Sequence, residues 1–364
     1  MVTTHIVLYA LDIFALLFLL GLLRGYNLLG NQRKSPFSYG VIFIIISILA
    51  EAGTILPWGV WGELRSINII FNIIGFAITP IIPIVLIAIF DIKILRLHRL
   101  LLIPTILNIF LVALSPFFGL IFSVDANNHY ARGSIFFFFV AVYVSNIIML
   151  AVTVWYTGQK YLYPIKFKIA LLAFFTVSAT SVQLVVPLIY TSWHCVTLSM
   201  LLLYILLSDF DSSFDTVTKL FNRAAFEKEA RRLNGKDSFS IIVMDINNFK
   251  EVNDKHGHEY GDMALKELGE IIRDSFHKNC SGYRIGGDEF CVICRDGNEE
   301  KIQQQLKAMT NTLTKKRQND SWLPTVAYGY SVFRGGGTLN VDELLKEADE
   351  QMYRYKNSKS VSNS

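Results

Sequence analysis

The chain has 364 residues, enough for two or three domains. Its charge is divided unevenly: residues 1–208 hold 11 Lys/Arg and 5 Asp/Glu, residues 209–364 hold 23 and 25, and the net +4 is therefore +6 in the first part and −2 in the second. The positive excess lies in short loops between apolar runs and does not argue for a nucleic-acid partner, and four cysteines give no disulfide framework.

Seven apolar runs follow one another in the first half, at about 5–23, 39–56, 67–90, 100–122, 134–157, 168–190 and 193–207. Most reach the ~20 residues a helix needs to cross a bilayer. One such run could be a buried core helix; seven in succession predict an all-α transmembrane bundle over 1–208, in contact with membrane lipid. Arg24, Arg33 and Lys34 follow the first run, Lys93, Arg96 and Arg99 the third, and Lys160, Lys166 and Lys168 the fifth. The alternate loops hold only Arg65 and Arg132 as basic residues. The positive-inside bias then places the N-terminus outside and the C-terminus in the cytoplasm. No basic residue precedes the first run, so it does not read as a cleaved signal peptide.

Asp12, Glu51, Asn68, Asn72, Gln183 and His194 fall in the outer half of these runs, with Asn108 and Asn146 nearer the middle. Such groups face a bundle interior or a wet cavity, where they serve either interhelical hydrogen bonding or a ligand. Pro80, Pro83 and Pro187 predict kinks. No motif names the external or intramembrane ligand.

A short junction, 209–218, leaves no room for a further sensor before a domain at 219–358, with a tail at 359–364. In this second half, Asn222–Leu233 reads as a helix and Phe239–Ile246 as a buried strand ending on Asp245. Gly261–Phe276 is amphipathic, with Leu265, Leu268, Ile271, Ile272 and Phe276 at helical spacing. Ser281–Ile285 and Glu289–Cys294 read as hairpin strands, Glu299–Lys316 as a helix, Thr325–Phe333 as a strand and Val341–Lys356 as a last helix. This β-α-β-β-α-β order predicts an α+β domain with an antiparallel sheet and helices on one face. Cys291 and Cys294 are three apart on a strand and should point to opposite faces, one to the core and one to the surface, rather than bind metal. His256-Gly257-His258 lacks the further ligands of a zinc site.

The hairpin turn is Gly286-Gly287-Asp288-Glu289-Phe290. A Gly-Gly pair supplies the positive φ such turns use and leaves room for a phosphate, and Asp288 offers a carboxylate to a hard cation. Around it stand Asp215 to Arg223 (DTVTKLFNR), Met244 to Lys250 (MDINNFK), Val252-Asn253-Asp254, Gly257-His258, Gly261-Asp262, and Ala348-Asp349 with Met352-Tyr353 and Lys356. Over Asp215–Lys356 this set resembles the GGDEF family, the diguanylate cyclases that make cyclic di-GMP from GTP on a nucleotidyl-cyclase-like fold.

The resemblance implies a transferase that joins two GTP molecules with Mg²⁺ (or Mn²⁺). Asp245, the Ile246 carbonyl and Asp288 would be the metal ligands, as hard oxygens suit Mg²⁺. Asp288, Glu289 and Lys250 would be catalytic. Phe249, Asn253, His258, Asp262 and Lys356 would bind substrate, Asn253 and Asp262 accepting from the guanine N1 and N2 donors, and Lys356 meeting the γ-phosphate. One GTP per domain and a two-fold product imply a homodimer. Three stretches depart from the family pattern. Asn247 stands where many members have Asp, and Lys359-Ser360 where Gly-Arg is usual. The inhibitory product site Arg-x-x-Asp is replaced by His277-Lys278-Asn279-Cys280. Two other readings are a degenerate domain that binds GTP or a partner without turnover, against which Asp245, Lys250, Asp288 and Glu289 argue, and a transporter or receptor with a nucleotide-sensing domain, for which no inverted repeat is visible.

Overall fold

The computed structural model describes residues 2–25, 29–55, 64–97, 99–160, 168, 170–172, 174–178, 182, 191–276 and 279–361. They divide into two compact units, Met1–Asp211 and Ser212–Ser364.

In the first unit, helices α1 (Val2–Gly25), α2 (Asn31–Ile55), α3 (Arg65–Ile78), α4 (Ile81–Leu97), α5 (Ile103–Phe118), α6 (Phe136–Lys160) and α7 (Ser192–Asp211) follow the apolar runs. Among the described residues, six spans are long and apolar enough to cross a membrane, α3 and α4 counting as one. The run 168–190, with Gln183 and Pro187, lies largely outside the described residues. Large apolar side chains point outward, Phe14, Phe117 and Phe137 being 70, 81 and 80 % exposed, as a lipid-facing surface requires.

The break between α3 and α4 falls at Thr79-Pro80, and a neighbouring helix is tied to it: Asn146 Nδ2 donates to the Pro80 carbonyl (2.8 Å) and to Thr105 Oγ1 (2.9 Å). Asn108 donates to the Phe76 carbonyl (3.0 Å), and Asn68 to the side chain of Asn128 (2.9 Å). These asparagines therefore hold the bundle together. Gly119 ends α5 in the left-handed conformation, and a short antiparallel hairpin not expected from the sequence, β1 (Phe122–Val124) and β2 (Tyr130–Arg132), leads to α6.

The second unit is built on five strands, β3 (Phe221–Asn222), β4 (Phe239–Ile246), β5 (Cys280–Arg284), β6 (Glu289–Cys294) and β7 (Val326–Phe333), in the order β3-β5-β6-β4-β7. All pairs are antiparallel except β3 with β5. Between the strands come α8 (Arg223–Ala230), α9 (Phe249–His256), α10 (His258–Ser275), α11 (Glu299–Asn319) and, last, α12 (Val341–Val361).

The helices cover both faces of the sheet rather than one. Ile242, Met244 and Ile246 of β4 share a core with Leu265, Leu268, Ile271 and Ile272 of α10 and with Ile302, Leu306 and Met309 of α11. Ile241 and Val243 face the other way, into a core with Ala225 and Phe226 of α8 and Ala348 and Met352 of α12. Burial on both sides explains why β4 is apolar at nearly every position, each fully buried side chain contributing about 1.5–3 kcal/mol.

The same two-sidedness corrects the reading of the cysteines. Cys291 and Cys294 do point to opposite faces, but both faces are core and both residues are buried. Cys294 is also joined by a disulfide to Cys280, its directly opposed partner across β5 and β6, so the four cysteines include one bridge.

Candidate active site

The register of β4 with β6 assembles the acidic centre. Asp245, at the end of β4, stands opposite Glu289, the first residue of β6. The next amide, Ile246 N–H, donates to the Asp288 carbonyl (3.2 Å), so the hairpin turn is stitched to the end of the central strand. The turn closes through Ile285 N–H and Gly286 N–H, which both donate to the Glu289 carbonyl (2.9 and 3.3 Å). Neither Gly286 nor Gly287 takes the left-handed conformation expected of the pair. A Cβ at Gly286 would lie 2.5 Å from Oε2 of the exposed Glu289 side chain, which can turn away, and the position of Gly287 is open. Asp245 and Asp288 are half-buried; Glu289 is exposed.

Sequence reasoning missed the brace behind this turn. Arg284, the last residue of β5, donates through Nη2 and Nε to the Gly287 carbonyl (2.7 and 3.2 Å) and through Nη1 to both Asp215 oxygens (3.2 Å each). Burial would raise the Asp215 carboxyl. The amide and hydroxyl of Thr218, each at 2.8 Å, and the Arg284 charge outweigh it and hold the group below the usual carboxylate value. Asp215 and Arg284 were both visible in the sequence. What no spacing gave was that β3 pairs parallel with β5, placing Asn222 opposite Arg284 and bringing the segment before β3 to the turn.

From the other side of the sheet, α12 delivers Lys356, whose ammonium meets Asp245 Oδ1 at 2.6 Å. Two half-buried aspartates and a backbone carbonyl are a hard-oxygen donor set that fits Mg²⁺ or Mn²⁺, and the adjacent ammonium suits phosphate charge beside it. Such ions use one or two carboxylates and complete their shell with phosphate oxygens and water. Among the described residues no three His, Cys, Asp or Glu side chains converge, so a softer all-protein metal cage is not formed there. Asn247 donates its amide N–H to the Thr325 carbonyl and its side-chain Nδ2 to Thr325 Oγ1 (2.9 Å each), a tie to the start of β7 rather than a further acid.

The remaining predicted residues follow directly. Asn248 is left-handed (φ 56°) and turns the chain from β4 into α9, which the sequence reading left unassigned; Phe249 and Lys250 form its first turn. Lys250 is exposed, and Phe249 and Asn253 are half-buried. Gly257 (φ 91°) separates α9 from α10, whose first turns carry His258 and Asp262, both exposed. The two helices touch at Gly261, where a Cβ would stand 2.0 Å from Asn253 Oδ1. Asn253 is thereby held against the turn that bears Asp262. His277 and Lys278 lie outside the described residues; Asn279 is left-handed (φ 72°) and Cys280 opens β5.

Residues 212–362 match the family described as diguanylate cyclase, GGDEF domain. Diguanylate cyclase DgcS of Shewanella oneidensis is 36 % identical over 157 residues, which are 40 % of this chain and 50 % of that protein. Diguanylate cyclase VdcA of Vibrio cholerae is 25 % identical over 155 residues, 40 % of this chain and 45 % of that one. The chain thus spans about half the length of the curated relatives it matches. Among solved structures, the GGDEF domain of DgcB from Caulobacter crescentus in complex with c-di-GMP is similar at 25 % identity, covering 40 % of this chain and 91 % of that one with a TM-score of 0.35.

Proposed function

Residues 212–362 are a GGDEF domain, and from that premise we propose that the chain is a membrane-bound diguanylate cyclase. It condenses two GTP into cyclic di-GMP and two pyrophosphate on the cytoplasmic face of the bacterial inner membrane, as a homodimer controlled by its membrane unit. The observation that carries the reading is the junction of β4 with the hairpin: Asp245 opposite Glu289, Ile246 N–H bonded to the Asp288 carbonyl, and Lys356 on Asp245.

In this reading Asp245, the Ile246 carbonyl and Asp288 hold Mg²⁺ (or Mn²⁺), which when bound offsets triphosphate charge and polarises the reacting oxygens. Lys356 exchanges its carboxylate partner for the γ-phosphate. Lys250, exposed on the first turn of α9, meets charge developing at the α-phosphorus as the 3′-hydroxyl attacks and pyrophosphate leaves. Asn253 and Asp262 accept from guanine N1 and N2, which adenine cannot satisfy, while His258 and Phe249 contact the substrate. Glu289, exposed beside the metal acids, belongs to the same cluster. Each domain holds one GTP, so both phosphodiester bonds form between two copies of the chain. Positive loop charge orients the bundle, and a signal received from outside or within the membrane passes down α7.

The test is turnover of GTP by the purified full chain with Mg²⁺, beside Asp288→Ala and Glu289→Ala variants. Turnover in the parent and loss in both variants, with folding unchanged, is expected. Wild-type turnover in Asp288→Ala would refute the metal assignment.

A further inference from the structure

The first, second and last helices of the membrane unit gather side chains that the nucleotide chemistry does not use. Glu51, near the end of α2, accepts from the Tyr9 hydroxyl (3.2 Å) and from the Trp193 indole Nε1. One turn along α1 from Tyr9, Asp12 meets His194 Nδ1, and the His194 ring packs on Tyr9 at 5.6 Å between centroids. Tyr9 and Trp193 are buried, at 1 and 8 % exposure. Three helices thus meet in one polar knot within an apolar bundle, where ionisable groups are costly and mark function.

Among the described residues, few titratable groups face this knot. On α1 they are Tyr9 and Asp12, with His5 one turn before Tyr9; on α2 Glu51; on α7 His194, with Cys195 in electrostatic reach of Asp12. Of the other helices packed on α2, α3 has one ionisable residue, Arg65, which is engaged with the Val124 carbonyl, and residues 81–90 of α4 have none. A proton gained or lost at the Asp12–His194 pair changes the charge of the knot by one unit in a medium that screens charge poorly. Among the described residues His194 Nε2 is buried without a hydrogen-bond partner, and Asp12 is the polar group its ring meets.

That proton bears on the hold α1 has on α7. The far end of α7 is fixed independently: the Asp211 carboxylate accepts from Gly30 N–H (2.8 Å) and from Arg33 (2.5 Å), and the Arg33 guanidinium lies over the Phe210 ring at 5.0 Å. The 20 residues of α7 span about 30 Å, the thickness of a bilayer core, and the titratable grip and the fixed grip lie at its opposite ends. Ser212, the next residue in the chain, begins the GGDEF unit.

We infer that Asp12 and His194, with Glu51 and Trp193, form an intramembrane proton-binding site through which acidity outside the cell sets the output of the cyclase. The inference rests on the cyclase reading for that output, and on the knot alone for the proton site. The full chain in lipid nanodiscs is titrated over about pH 5 to about pH 8, where an imidazole changes charge. Trp193 emission is taken as the difference between the parent and Trp193→Phe, since the chain has 5 tryptophans. Cyclic di-GMP formation is measured in parallel. The expected result is a Trp193 transition lost in His194→Gln. It is accompanied by a change of about fivefold or more, across the same pH range, in the ratio of parent to variant rates. Taking the ratio removes the cyclase domain's own pH profile. Asp12→Asn serves the same comparison should His194→Gln fail to insert. Flat Trp193 emission in the parent overturns the proton site, and a constant rate ratio overturns its coupling. Absence of product from every chain at every pH would contradict the cyclase reading instead, while the emission titration would still decide the proton site.

Discussion

Replacing Gly329 by alanine tests how Lys356 is held over Asp245. Gly329 lies in β7, paired with Val243 of β4, and α12 crosses it closely. A Cβ at this position would stand 2.0 Å from the Ala348 carbonyl oxygen and 2.4 Å from the Met352 amide nitrogen. Both are helix backbone atoms, so no rotamer change relieves the clash. Non-bonded heavy atoms settle near 3.5 Å, so α12 must withdraw by roughly 1 Å or more. Overpacking of this kind costs about 1–3 kcal/mol. Lys356 sits about two turns further along the same helix, and misplacing a positioning group by about 1 Å can lower turnover on the order of a hundredfold. Gly329→Ala should therefore melt earlier than the parent in detergent and lose turnover at saturating GTP. Parent-like stability together with parent-like turnover would show that this contact does not set the place of Lys356.

Lys356→Ala removes the cation at 2.6 Å from Asp245; turnover should fall about a hundredfold with the fold intact, and GTP kinetics on the full chain check it. Asp215→Asn should destabilise the protein at neutral pH by unpairing Arg284, which is 17 % exposed. Because the folded Asp215 carboxyl is held below its ordinary value, its contribution is complete above the unfolded value and is lost as pH falls through the folded one. The stability gap between parent and variant should thus shrink below about pH 4 in denaturation curves. The Cys280–Cys294 bridge closes a sequence separation of 14, worth about 3 kcal/mol by chain entropy. Denaturation midpoints with and without dithiothreitol should differ, while turnover persists in both, since neither cysteine belongs to the acidic centre.

The acidic centre was legible because its parts are written as contiguous stretches: FSIIVMDI is a strand buried on both faces, and its last acid falls beside the GGDEF turn by register alone. The helix α10 was legible from its spaced Leu and Ile. The helix α9 was not, because it begins after a left-handed Asn248 and buries only Val252. The positive φ expected of Gly286 and Gly287 is not adopted, because the turn closes through the Glu289 carbonyl in another geometry. Partners set by topology were silent in the sequence. Arg284 with Asp215 needed the parallel β3–β5 pair, and the bridge of Cys280 to Cys294 needed the β5–β6 register. In the membrane unit Asp12, Glu51 and His194 stood out as costly residues, but their convergence depended on which helices are neighbours.

The most direct measurement is the stoichiometry of the reaction. The full chain in liposomes is given GTP as the sole nucleotide with Mg²⁺, and pyrophosphate and cyclic di-GMP are quantified from the same sample. Two pyrophosphate are expected for each cyclic di-GMP, with ATP giving neither. Release of phosphate and GDP, or pyrophosphate without the cyclic dinucleotide, would contradict a diguanylate cyclase.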